Sequence, residues 1–312
     1  MLTLPDKRPQ RTRIDPELSE RMERRRKIRR KAMQRRMITL ALIAVVIFSA
    51  TVIIVSALKR GDTEAERQIP DKVYTTYWNT QIEVDPRYPA SELLDSGFVT
   101  VGGRKKYLSG TVKSCAGIDV SEHNGEIDWE AAAADGIEFA MIRVGYRGYT
   151  EGDVYEDERF EENYQGAKAA GLKVGAYFFS QAVSAEEAAE EAELALKALK
   201  GHPLDLPLAY DWETIGDENA RADDIDCETL TACTQEFCRK VSKKYDAMIY
   251  TNAYQGYYLL SLGELSEYPV WFAGYAETPV FYYRYDIWQY TNKGVVAGIE
   301  GDVDLDILFY NE

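Results

Sequence analysis

Eight short apolar runs follow one another in the last two thirds of the chain, at residues 117–121, 139–145, 173–180, 206–213, 247–252, 269–275, 285–290 and 303–309. Between the earlier runs lie stretches with helical periodicity. One starts at Ser184, where Ser-Ala-Glu-Glu reads as a capping box, and continues through Leu199; another spans about 227–245. Continuous apolar strands alternating with helices predict a largely parallel sheet covered by helices. Eight such strands within about 195 residues predict an α/β fold closed into a compact barrel, with helices short or absent in its last third.

In such a barrel the working side chains sit at the carboxyl ends of the strands. Asp119 closes the first run, Asp211 and Glu213 close the fourth, and Asp304 lies in the last. Strand residues two apart share a face, so Asp211 and Glu213 point into one cleft while Trp212 turns away, and Asp304 and Asp306 share a face likewise. Two acids side by side on an apolar strand need a reason. Carboxylates converging on a barrel mouth suit cleavage of a glycosidic bond, which needs a proton donor and a group that stabilises an oxocarbenium-like centre. Burial and mutual repulsion would keep one of them protonated near neutrality.

Other chemistries find less support. Only His123 and His202 exist; His202, before Pro203, is expected in solvent, and His123 either lines the cleft or belongs to a turn. The glycines from Gly145 to Gly152 lack the Lys-Ser/Thr of a phosphate loop. No CxxC or Cys/His spacing suggests a metal, and carboxylates with water need no cofactor. Cys115, Cys227, Cys233 and Cys238 read as small buried hydrophobes, with a pairing of Cys115 left open. Rings at Tyr177, Phe179, Tyr250, Trp271 and Tyr275, together with the amide of Gln289, are the candidates for holding a sugar by stacking and hydrogen bonding.

These residues amount to a resemblance. Gly117-Ile-Asp119-Val-Ser121, Ile127-Asp128-Trp129, Lys173-Val-Gly-Ala-Tyr177-Phe-Phe, Asp211-Trp-Glu213, Trp271-Phe-Ala-Gly-Tyr275, Trp288-Gln-Tyr-Thr291 and Val303-Asp304-Leu-Asp306 occur in this order. Over about 116–310 the chain resembles the family 25 glycoside hydrolases, the muramidase type of bacterial and phage lysozyme. The resemblance implies a flattened, irregular β/α (TIM-like) barrel. It also implies hydrolysis of the β-1,4 bond between N-acetylmuramic acid and N-acetylglucosamine in peptidoglycan. Glu213 falls on the family's proton donor, and Asp119 and Asp304 on its other acidic positions. Two departures stand out: Asp306 where Asn is frequent, and Phe178 where a polar ring is common. Side-by-side acids favour substrate assistance by the 2-acetamido group with Asp211 orienting it; a nucleophile or base at Asp119 or Asp304 is the other route. The alternative function is a catalytically weak, anchored peptidoglycan-binding module.

The front of the chain is a different object. Residues 1–36 carry 14 Lys/Arg against 5 Asp/Glu, whereas residues 59–312 carry 23 against 47. Between them, residues 37–58 contain no charge, a length that crosses a hydrocarbon core of about 30 Å. The basic flank predicts a cytoplasmic tail (1–36), a single transmembrane helix (37–58) in contact with lipid, and an exported remainder. The apolar run exceeds the h-region of a cleaved signal peptide, and a basic run against a membrane span argues orientation rather than nucleic-acid binding. Residues 59–112 read as a stalk with a β-hairpin around Gly102-Gly103, and 113–312 as the hydrolase barrel. The expected location is the cell membrane with the catalytic part outside; oligomeric state is not legible.

Overall fold

The computed structural model describes residues 72–311. The expected tail, transmembrane helix and first part of the stalk lie outside these residues. Among those described, no helix is long and apolar enough to cross a membrane.

Two hairpins come first. β1 (Val73–Tyr77) pairs antiparallel with β2 (Thr80–Val84), and β3 (Phe98–Val101) with β4 (Arg104–Tyr107). The second is the hairpin expected from Gly102-Gly103, both at positive φ. The first corrects the expectation of an irregular stalk. Its two-residue turn is Trp78-Asn79, with φ of 48° and 59°. That geometry normally calls for Asn-Gly, and Trp hid the signal.

The barrel strands are β5 (Val112–Val120), β6 (Phe139–Arg147), β8 (Lys173–Ser180), β9 (Leu208–Trp212), β10 (Ala247–Asn252), β11 (Val270–Ala273), β12 (Ile287–Gly294) and β13 (Val303–Asn311), with β7 (Val154–Glu156) folded back on the end of β6. All eight expected runs became strands. They form a ring in the order β5-β6-β8-β9-β10-β11-β12-β13, closed by β13 against β5. The pairs from β5 through β12 are parallel, but β13 runs antiparallel to both of its neighbours.

Helices cover part of the ring: α1 (Trp129–Ala134), α2 (Phe160–Ala169), α3 (Ala185–Ala198), α4 (Cys227–Val241) and the short α5 (Ala253–Tyr258). The cap at Ser184 differs from the expected box. Ser184 Oγ accepts the Glu187 N–H, but the Glu187 carboxylate reaches back to the Val183 N–H. The same carboxylate is held by Arg221, which draws it away from Ser184. No α-helix follows β11 or β12. The segment before the barrel takes that place: Phe98 packs edge-on against Trp288 and Phe309, Tyr107 meets Phe309, and the buried Tyr88 hydroxyl donates to the Tyr268 carbonyl at 2.9 Å. The boundary expected at residue 113 therefore cuts through a shared core, and all described residues fall in one compact unit.

Alternation along the strands makes two cores. Ile118, Val120, Ile142, Val174 and Phe272 face outward to the helices and hairpins. Cys115, Phe139, Met141, Met248, Trp271, Ile287 and Leu308 fill the barrel. Gly117 stands where a Cβ would run into the Phe139 ring, so this inward position has no room for a side chain.

Candidate active site

Five carboxyl groups meet above the inner core. Asp119 lies one residue from the carboxyl end of β5, and Asp211 and Glu213 at that end of β9. Asp304 was expected at a carboxyl end as well; instead it enters at the amino end of β13. Because β13 is reversed, its beginning rises to the same rim, and Asp304 sits opposite Asp119 in the ladder. In a ring of eight, β13 stands four places from β9, so Asp304 faces Asp211 and Glu213 across the mouth. Glu213 is fixed through its backbone: its carbonyl accepts from Gln181 Nε2 at 2.8 Å, and the preceding Trp212 carbonyl accepts from Gln255 at 3.2 Å.

Gln289 organises the opposite wall. Its Oε1 accepts from the hydroxyls of Tyr275 at 2.9 Å and Tyr250 at 3.2 Å. That commits its amide N–H to Asp119 Oδ2, at 2.8 Å. Asp306 is wholly buried beneath and accepts from the indole N–H of Trp271 at 2.8 Å.

So many acids in one closed space cannot all ionise. Burial, then the charges of Asp304 and Asp306, push Asp119 well above the usual carboxylate range. Burial raises Asp306 to about 8 although Asp119 and Trp271 oppose it. The two act as a hydrogen-bonded pair that keeps a proton between them. Burial, and then Asp304, lift Glu213 to about 7, with the neighbouring Tyr250 hydroxyl a smaller opposing influence. Asp304 rises only to about 6, its burial opposed by a backbone N–H and by Lys293. Asp211 is raised by burial and by Glu213 and lowered by Arg143, and its Oδ1 is buried without a hydrogen-bond partner. Asp211 and Glu213 therefore share a raised range in which one of the two keeps a proton near neutrality, and Arg143 only partly offsets the burial of Asp211.

Sequence reasoning did not single out Arg143. It lies on the inner face of β6, level with Tyr177, and its Nε donates to the fully buried Asp157 at 2.7 Å while Nη2 lies 3.1 Å from Glu122. An arginine inside an apolar strand (Ala-Met-Ile-Arg-Val) was the available signal.

The aromatic candidates separate by depth. Tyr250 and Tyr275 touch Gln289 at the mouth, Tyr177 lines the buried wall beside Asp119 and Asp211, and Phe179 is half-buried next to Asp211 in the ladder. Trp271 corrects its expected place as an open platform. It is 1% exposed, lying under Tyr177 and Tyr250 edge-to-face, and it reaches the site through Asp306. Phe178 faces the outer core against Phe237, so that departure does not reach the cleft. His123 is exposed in a turn. His202, expected in solvent, is largely buried between Phe160 and Tyr164 and sits 2.7 Å from Glu161.

All four cysteines are free; Cys115 lies inside the barrel and Cys233 and Cys238 outside it, so Cys115 forms no pair. Among the described residues no His/Cys/Asp/Glu group is disposed to hold a metal ion.

Comparison with known proteins places this geometry. The autolytic lysozyme of Clostridium acetobutylicum is 31% identical over 194 residues, covering 61% of this chain and 54% of that protein. Lysozyme M1 of Streptomyces globisporus is 29% identical over 201 residues, 60% of this chain and 65% of its own. The chain thus spans about half to two thirds of the length of these relatives. Two solved structures share the fold. The modular autolysin LytC from Streptococcus pneumoniae, in complex with a synthetic peptidoglycan ligand, has a TM-score of 0.58 at 23% identity, over 69% of this chain and 52% of that one. A family 25 glycosyl hydrolase from Bacillus anthracis has a TM-score of 0.55 at 22% identity, over 68% and 96%. The family model "Glycosyl hydrolases family 25" matches residues 118–299, which holds Asp119, Asp211, Glu213 and Gln289. With that match over more than half of its length, the chain belongs to glycosyl hydrolase family 25.

Proposed function

We propose that the barrel is a muramidase, hydrolysing the β-1,4 bond between N-acetylmuramic acid and N-acetylglucosamine in peptidoglycan, and that residues 37–58 tether it to the outer face of a bacterial membrane. The observation that carries the chemistry is a carboxyl held protonated to about pH 7, Glu213, across the mouth from a carboxyl that ionises near 6, Asp304. The substrate follows from the family and from the relatives described as lysozymes. The tether follows from the uncharged run and its basic flank.

Glu213 gives its proton to the glycosidic oxygen as the bond to the anomeric carbon breaks. The substrate's own acetamido oxygen closes on that carbon, and Asp211, whose buried Oδ1 has no partner of its own, accepts the acetamido N–H. Water, deprotonated by Glu213, then opens the ring intermediate with retained configuration. One observation favours a second route: Asp304 lies opposite Glu213 and is the more readily ionised of the two. As a base there it would direct water to the far face of the sugar and invert the configuration.

The test is digestion of purified peptidoglycan, borohydride reduction and mass spectrometry, with Glu213→Gln as the control. Reduced N-acetylmuramic acid ends that vanish in the control are expected. Reduced N-acetylglucosamine ends would assign the wrong bond, and glycan binding without cleavage would make the barrel a recognition module. Anomer-resolved NMR of the first product decides the route, since inversion rules out substrate assistance.

A further inference from the structure

Outside the family match, β1–β2 carries a feature that its own folding does not explain. Trp78 occupies a turn position at φ 48° and is 85% exposed. A bulky residue there costs backbone strain and, at this exposure, recovers little burial. Its ring meets Tyr77 edge-on at 6.3 Å; Tyr77 lies 6.3 Å from Tyr258 on α5, and Tyr258 lies 5.3 Å from Tyr254. Tyr254 and Tyr258 are 54% and 44% exposed. Tyr257, packed against Tyr77 at 5.2 Å and Phe281 at 5.3 Å, fixes the hairpin to the barrel from below. α5, which carries Tyr254 and Tyr258, starts directly after the carboxyl end of β10, the strand whose Tyr250 hydroxyl reaches Gln289 at the mouth.

We propose that Tyr254, Tyr258, Tyr77 and Trp78 form a track for the glycan strand, extending its binding from the barrel mouth onto the N-terminal hairpin. This rests on the muramidase reading for the identity of the strand. Pyranose rings present apolar faces to aromatic rings and hydroxyls to their edges, and tyrosine supplies both surfaces. A line of three exposed rings joined through the half-buried Tyr77, leading away from the strand that carries Tyr250, suits a long polymer rather than a small ligand. The rival occupant is the membrane surface, where Trp and Tyr also collect. Charge argues against it: Lys72 on this hairpin is paired with Glu83, and the acidic remainder of the chain is repelled by anionic lipid.

The experiment uses the full chain in detergent with Glu213→Gln, so that strands bind without being cut. Binding of long peptide-free glycan strands is compared with binding of a tetrasaccharide fragment. Trp78→Ala is expected to weaken long-strand binding about tenfold and to leave the tetrasaccharide affinity as it was; Trp78→Tyr should restore most of the loss. Equal loss on both ligands, or loss on neither, overturns the track. In vesicles of phosphatidylcholine and phosphatidylglycerol with brominated chains, quenching abolished by Trp78→Ala would place the tip in the bilayer and overturn it too. Failure of the muramidase reading appears elsewhere, as absence of cleavage by the chain that retains Glu213.

Discussion

Glu213 and Asp304 differ by about one unit, and the catalytic state needs the first protonated. Activity should therefore fall as pH rises through about 7, and in the Asp304-base route also as it falls through about 6. A kcat/KM profile that stays flat to pH 9 would sink Glu213 as the acid. Glu213→Gln should lower kcat by roughly 10²–10⁴-fold. Asp306 offers a stability test. Its folded value of about 8 lies above its unfolded value near 4, so the native state keeps a proton that the unfolded chain releases. That advantage is full below pH 4 and is lost as pH rises through 8. Asp306→Asn, which can still accept from Trp271, should add on the order of 1–3 kcal/mol at pH 8 and little at pH 4, read by denaturant unfolding. The Asp211–Glu213 pair was legible from spacing alone. Arg143 and the burial of Asp306 were not, because their partners Asp157, Glu122 and Trp271 come from elsewhere in the chain.

At the scale of elements, strands were easier to read than caps and turns. A continuous apolar run states its own burial, whereas a cap depends on what competes for its carboxylate, as Arg221 does for Glu187. The Trp78-Asn79 turn was unreadable because its first residue suits function better than φ. Trp78→Asn should accordingly stabilise the domain by about 0.5–1 kcal/mol while harming long-strand binding, measured by unfolding and binding on the same variant. α3 is pinned to β6 by a buried pair: Arg147 Nε donates to Glu191 at 2.7 Å, and Ser180 donates to the other carboxylate oxygen. Arg147→Met leaves that acid buried without its cation and should cost about 3–5 kcal/mol in an unfolding experiment, partly recovered by adding Glu191→Gln.

On the scale of the whole molecule, the barrel was foreseen and its dependence on the preceding residues was not. The last strands lack covering helices, a gap the alternation pattern revealed, but the cover came from a polar, proline-containing stretch without sustained periodicity. Its anchors, Tyr88, Phe98 and Tyr107, are single residues that no periodic pattern flags. A chain starting at 113 should therefore unfold at lower denaturant than one starting at 72 and should aggregate through the bared faces of β12, β13 and β5. If the shorter chain proves equally stable by urea unfolding, the shared core contributes nothing. The reversed β13 has a consequence in time. Asp304 and Asp306 lie on the strand that is made last, and until it inserts, β5 and β12 are open edges and Asp119 has no facing acid. On the proposed muramidase reading, a nascent or truncated chain that stops short of Val303 would lack two of the five carboxyls and a closed ring, so the cutting site would exist only once β13 has inserted.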